Sequence, residues 1–219
     1  MPRRLIETAR SRYRRFRQRQ SPSSGLITDL ILVIVFLAVM RNLVVESSFV
    51  LSDSMEPTLK PGDWLLVDKL RYVFDGSPNG SPNGSPKRGD IVVFNAPLEP
   101  GDEYVKRVVA IPGDTVQIEG GRLILNGTPL EEPYLSPDSR TGATGGTDPD
   151  ENPFAEPVLI PPGKYLVLGD NRPASKDSRS WGLLDGEEII GRADLVYFSY
   201  SLSVEETGVR WDRMNLPLN

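Results

Sequence analysis

The chain has 219 residues, with 25 Lys and Arg against 30 Asp and Glu, and contains neither histidine nor cysteine. That composition excludes a Ser-His or Cys-His nucleophile pair, any disulfide framework, and any metal site built on imidazole or thiolate, leaving only oxygen ligands for a hard cation. The net charge of -5 hides an asymmetry: Arg3, Arg4, Arg10, Arg12, Arg14, Arg15, Arg17 and Arg19 face a lone Glu7, so the body is acidic and excludes nucleic acid as its main partner.

Residues 1–24 form the basic tail. After the polar Ser21-Pro22-Ser23-Ser24 comes an uninterrupted apolar run over 30–40, flanked by Asp29 and Arg41. The strictly apolar part, about 11 residues, is short of the ~20 that a membrane span requires. A buried core helix, the apolar region of a cleaved leader, and an anchor whose charged ends reach the interfaces all compete. Eight preceding arginines sit badly with a core helix, and no small-x-small cleavage site follows Met40. The pattern therefore predicts a membrane anchor over 25–45, followed by a domain over 46–219. Arginines on one side place the N-terminus in the cytoplasm and the domain on the far side of the bilayer. No second apolar segment follows, which predicts a single span.

Beyond the anchor the chain reads as short strands. Runs rich in β-branched and aromatic residues fall at 64–67, 90–94, 104–109, 115–118, 122–125, 164–168 and 195–198. Pro61-Gly62, Pro112-Gly113-Asp114, Gly120-Gly121, Asn126-Gly127 and Pro162-Gly163 punctuate them. The expectation is a mainly β, antiparallel domain, with a hairpin at Gly120-Gly121 and Asn126-Gly127 closing the next strand. Two stretches read as flexible insertions without chemistry of their own. One is the Ser-Pro-Asn-Gly repeat over about 76–87, and the other is the Gly-, Thr-, Asp- and Pro-rich segment over 136–152.

Ser52-Asp53-Ser54-Met55-Glu56-Pro57-Thr58-Leu59 stands just beyond the predicted anchor. Serines crowd turns for structural reasons, so the motif alone says little. Without histidine, a nucleophilic Ser54 needs a carboxylate or a lysine as its base, and the Ser-Lys pair has precedent.

Three blocks resemble type I signal peptidases, the membrane-bound proteases that remove signal peptides from exported proteins. Ser52-x-Ser54-Met55-x-Pro57-Thr58-Leu59 is similar to their nucleophile motif. Tyr104-Val105-Lys106-Arg107-Val108 with Pro112-Gly113-Asp114 is similar to their lysine motif. Gly169-Asp170-Asn171-Arg172-x-x-Ser175-x-Asp177-Ser178-Arg179 is similar to their third block. The similarity spans roughly residues 46 to 198. Leu51 departs from it, standing where a proline commonly precedes the first motif serine.

The resemblance implies Ser54 as nucleophile and Lys106 as general base, with Ser175 hydrogen-bonding the amine and Ser52 joining the Ser54 N–H in the oxyanion hole. It implies a salt bridge between Asp177 and Arg179 and structural work for Asp170, Asn171 and Arg172. Val50, Met55, Leu59, Tyr104 and Val105 become candidate walls of the substrate pocket. No metal or cofactor is implied. The implied partners are signal peptides cut after small residues of the Ala-x-Ala kind, the lipid bilayer and a neighbouring secretion translocon. The implied location is the cell membrane, or a thylakoid membrane where one exists. A lysine at its ordinary pKa of ~10.4 is useless as a base near neutrality, so Lys106 must be desolvated. Alternation along the strand pairs Lys106 with Tyr104 and Val108 but does not say which face is inner. A related self-cleaving repressor would need a helix-turn-helix that the N-terminus lacks. The remaining alternative is an inactive anchored β domain that binds partners.

Overall fold

The computed structural model describes residues 22–72, 84–137, 153–201, 203 and 207–218. Most of the basic tail and of the two predicted insertions lies outside them. The chain divides after Leu43 into two units.

The first unit contains a helix, α1 (Pro22–Val44), of 23 residues. Every side chain from Leu26 to Leu37 is exposed, and all but Thr28 and Asp29 are apolar. Among the described residues, no helix is long and apolar enough to cross a membrane. Val45, the last residue of the predicted anchor, instead opens the first strand.

Among the described residues the second unit is built from thirteen strands, all of whose pairings are antiparallel. In chain order they are β1 (Val45–Phe49), β2 (Asp63–Asp68), β3 (Ile91–Asn95), β4 (Glu103–Ala110), β5 (Thr115–Glu119), β6 (Arg122–Leu125), β7 (Thr128–Pro129), β8 (Val158–Leu159), β9 (Lys164–Leu168), β10 (Leu184–Asp185), β11 (Ile189–Ser201), β12 (Gly208–Val209) and β13 (Leu216–Pro217). A short helix, α2 (Ser178–Trp181), precedes β10. The larger sheet runs β1-β2-β11-β3-β4-β9-β10, with β12 and β13 also on β11. The smaller runs β7-β6-β5-β8.

Each of the seven expected strands is present. The six others are β1, of which the anchor reading took only Val45, and five two-residue pairings too short to carry a periodic pattern. Both hairpins turn where glycine and asparagine allow it. Gly120 and Gly121 (φ 51° and 80°) join Glu119 to Arg122, and Asn126 and Gly127 (φ 52° and 78°) join Leu125 to Thr128. Positive φ at both central residues gives the turn whose twist suits a two-residue hairpin.

Among the described residues three apolar clusters hold this unit. Leu65, Val67, Ile91, Val93 and Val196 pack with Val50, Met55 and Leu59. Val92, Phe94, Val108, Val167 and Leu184 form a second cluster. Val109, Ala110, Leu166 and Leu168 join the smaller sheet's Val116, Ile118, Leu123 and Leu125 in a third. Alternate residues of β3 thus serve two different clusters, so this strand is covered on both faces and its sequence is continuously apolar. In β4 the last five residues, from Lys106 to Ala110, are all buried. That is why alternation did not reveal an inner face.

Candidate active site

Ser54 sits on the loop between β1 and β2. Hydrogen bonds from Val50 N to Asp63 O (2.9 Å) and from Gly62 N to Val50 O (2.8 Å) close that loop at its base. Gly62 has a φ of 95°, a conformation that favours glycine. The Asp63 carboxylate fastens this end further, accepting from Lys60 N (2.8 Å), Ser199 Oγ (2.6 Å) and Arg213 Nε (3.0 Å). Met55 and Leu59 point into the core beneath the loop and hold it down.

From β4, Lys106 reaches this loop. Its Nζ donates to Ser54 Oγ at 2.8 Å and to the Val105 carbonyl at 2.8 Å. Lys106 is 4% exposed and Ser54 7% exposed. Burial disfavours the ammonium and pulls the Lys106 pKa down from 10.5 to about 8, against the opposing pull of the Asp177 and Asp170 carboxylates. Once the amine is neutral, the same 2.8 Å contact lets it accept the serine proton. Ser52 Oγ lies 3.1 Å from Ser54 Oγ, so the sequence's two motif hydroxyls are neighbours in space.

The third block forms the turn over this pair. Gly169 has no room for a side chain: a Cβ there would lie 2.1 Å from Ser175 Oγ and 2.5 Å from the Ser54 carbonyl oxygen. Asp177 accepts from Gly169 N (2.9 Å) and pairs with Arg179 through two 2.8 Å contacts, which is the expected salt bridge. Arg179 also donates to the Arg172 carbonyl at 2.6 Å. Asp170 takes both forks of Arg107, at 2.9 and 2.7 Å, and Arg172 pairs with Glu132. Glu132, with Tyr134 lying 4.1 Å from the Arg107 guanidinium, was not anticipated. Both belong to a turn that carries no recognisable pattern.

Two expectations are corrected. The anticipated bond between Ser175 and the Lys106 amine is not made: Ser175 Oγ is buried and has no hydrogen-bond partner. Leu59 does not line the pocket but is fully buried in the core with Leu65 and Val67, in a turn closed by its N–H donating to the Met55 carbonyl at 2.9 Å. The other wall residues, Val50, Met55, Tyr104 and Val105, do line a cleft of about 360 Å³ that opens onto Ser52, Ser54 and Lys106. Leu51, Asp102, Glu103 and Lys176 extend its rim, a set that sequence spacing gave no means of finding. The rim is braced by Glu99, which accepts from the Tyr104 hydroxyl and pairs with Lys176 at 2.6 Å.

With that geometry established, the family profile described as "Signal peptidase, peptidase S26" matches residues 24–198. The chain belongs to the type I signal peptidases. Membership makes it a serine protease. It is 36% identical over 183 residues to signal peptidase IB of Staphylococcus aureus, covering 80% of this chain and 89% of that one. It is 38% identical over 183 residues to signal peptidase I of Leptolyngbya laminosa, covering 79% and 78%. A crystal structure of a signal peptidase I from Enterococcus faecalis aligns at 32% identity with a TM-score of 0.41, covering 49% of this chain and 96% of that one.

Proposed function

We propose that this type I signal peptidase is a membrane-anchored endopeptidase that removes signal peptides from exported preproteins, cutting after small residues with a Ser54-Lys106 dyad. The observation that carries this reading is the 2.8 Å contact between a buried lysine, its pKa lowered to about 8, and the motif serine. The neutral Lys106 amine takes the Ser54 proton as Oγ attacks the scissile carbonyl. The oxyanion that forms is met by the Ser54 N–H and the Ser52 hydroxyl. Lys106 then gives the proton to the leaving amine, which departs as the new N-terminus. The acyl-enzyme is hydrolysed by a water that Lys106 deprotonates in turn. Ser175 takes no part in this reading: its buried hydroxyl, beside Gly169 and the Ser54 carbonyl, makes no bond to the Lys106 amine.

The anchor belongs to the same reading. The exposed side chains of α1 are apolar on every side from Leu30 to Leu37, as suits a helix whose surroundings are lipid. Its apolar stretch falls short of a full span, so in this reading the charged ends at Asp29 and Arg41 reach toward the interfaces. The arginines before it orient the N-terminus to the cytoplasm and the catalytic unit to the outer side, beside the translocon from which signal peptides emerge. An extended peptide would lie in the cleft between the chain at Val50 and the start of β4, with main-chain pairing giving affinity and alternate side chains entering pockets.

The test is direct. Ser54→Ala and Lys106→Ala should each abolish processing of a preprotein with a small-x-small site, while the chain stays folded and in the membrane fraction. Normal processing by either variant would sink the dyad.

A further inference from the structure

Both peptide planes flanking the Cα of Ser54 are gripped by one residue. The Asn171 N–H donates to the Ser54 carbonyl at 3.0 Å, and the Asn171 side-chain amide donates to the Asp53 carbonyl at 3.2 Å. A trans peptide carries its N–H on the side opposite its carbonyl, and the loop's one cis bond lies further on, at Glu56-Pro57. Holding the Asp53 carbonyl therefore decides where the Ser54 N–H points: away from Asn171. That N–H donates to nothing among the described residues, although Ser54 lines the cleft. The Glu56 N–H also reaches the Asp53 carbonyl, at 2.9 Å, but it belongs to the same loop and moves with it. Asn171 grips from outside.

Its own position is tied to the base. Asp170, the preceding residue, is held through two bonds by Arg107, which follows Lys106 on β4. Gly169, lacking a Cβ, lets the turn come this close to the Ser54 carbonyl. A chain of contacts therefore runs from the strand that carries the lysine to the peptide group that carries the free N–H.

We propose that Asn171 is a positioning residue for proteolysis: it aims the Ser54 N–H into the cleft as an oxyanion donor, in register with Lys106. The inference rests on the Ser-Lys reading above. A residue that only braced the loop would affect folding and leave the oxyanion untouched, so the experiment compares substrate with a tetrahedral mimic. Purified full-length wild type, Asn171→Ala, Asn171→Asp and Lys106→Ala would be assayed on a preprotein with a small-x-small site and titrated with a peptidyl boronate ending in alanine.

In both Asn171 variants kcat should fall about 10- to 100-fold, short of the full loss of a donor, with KM within about twofold of wild type. The boronate Ki should rise by the same factor as kcat/KM falls, and the pH midpoint set by Lys106 should not move. Aspartate should be at least as harmful as alanine, since it offers the Asp53 carbonyl an acceptor in place of a donor. The proposal is overturned if folded Asn171→Ala keeps kcat within about threefold of wild type, or if its boronate Ki does not follow kcat/KM. It is also overturned if neither variant folds, which would assign Asn171 to the scaffold. Normal turnover by Lys106→Ala would instead break the dyad, and the boronate comparison would still decide the role of Asn171.

Discussion

Lys106 and Arg107 are neighbours on β4, both almost sealed from solvent, and the protein treats their charges in opposite ways. Arg107 donates two bonds to Asp170 and one to the Gly89 carbonyl at 2.9 Å, and lies against the face of Tyr134. Lys106 donates to a hydroxyl and a carbonyl and makes no ion pair among the described residues. A buried guanidinium stays charged whatever surrounds it, so it must be paired, whereas an ammonium left without a carboxylate can shed its proton. Arg107 is therefore built as scaffold, whereas Lys106 keeps the freedom to lose its proton that the proposed dyad requires. The same rule reads the rest of the site: Asp177 with Arg179, and Arg172 with Glu132, are paired and structural.

The contrast can be broken at its paired end. Replacing Arg107 with methionine leaves the Asp170 carboxylate buried alone and should cost about 3 to 5 kcal/mol by thermal or denaturant unfolding. Arg107→Met with Asp170→Leu should recover most of that loss. If the double variant were no more stable than the single, the pair would not be the reason these groups are buried.

At the unpaired end the sign reverses. Because the Lys106 pKa is about 8 in the folded chain and 10.5 in the unfolded one, the unfolded state binds more protons between those values. Stability gains as pH rises through that window, and below it the penalty for the buried charge is fully present. Lys106→Met should thus stabilise the inactive protein at pH 7, on the order of 3 kcal/mol at most, with the advantage vanishing toward pH 10.5. Melting curves at pH 7 and pH 10.5 measure it. An equal gain at both would mean that packing, not charge, was responsible.

The smallest effect sharpens the comparison without any substitution. With chemistry limiting, cleavage should rise about tenfold per pH unit below the Lys106 pKa and level off above about 8. A profile flat from pH 5 to pH 10 would contradict a lysine base.

Much of this was legible in the sequence because it rests on local signals. The strand runs, the Gly120-Gly121 and Asn126-Gly127 turns, and the three motif blocks each lie within a few residues. The proximity of Ser54 to Lys106 and the Asp177-Arg179 bridge followed from them. What escaped depends on contacts between distant residues. Glu132 meets Arg172 across 40 positions, and Arg107 meets Asp170 across 63. Leu59 looked like a pocket wall because it closes the first motif, but the loop turns it into the core. Ser175 lies at the site with its hydroxyl unsatisfied, and residue type alone does not say which way a hydroxyl turns. Where β4 is buried on both faces, alternation carries no information about Lys106.

One feature of the larger sheet bears on how the enzyme is made. β2, at the base of the nucleophile loop, and β3, which pairs with the lysine strand, never touch through hydrogen bonds of their own: β11 stands between them. The two halves of the proposed pair are thus joined within the sheet by a strand from residues 189–201, after every motif has been synthesised. A nascent chain released before β11 would carry Ser54, Lys106 and the whole third block, with the Arg107–Asp170 and Asn171–Ser54 contacts, yet lack the strand that joins β2 to β3. The sheet that carries the site is thus completed late, by a segment holding none of the motif residues.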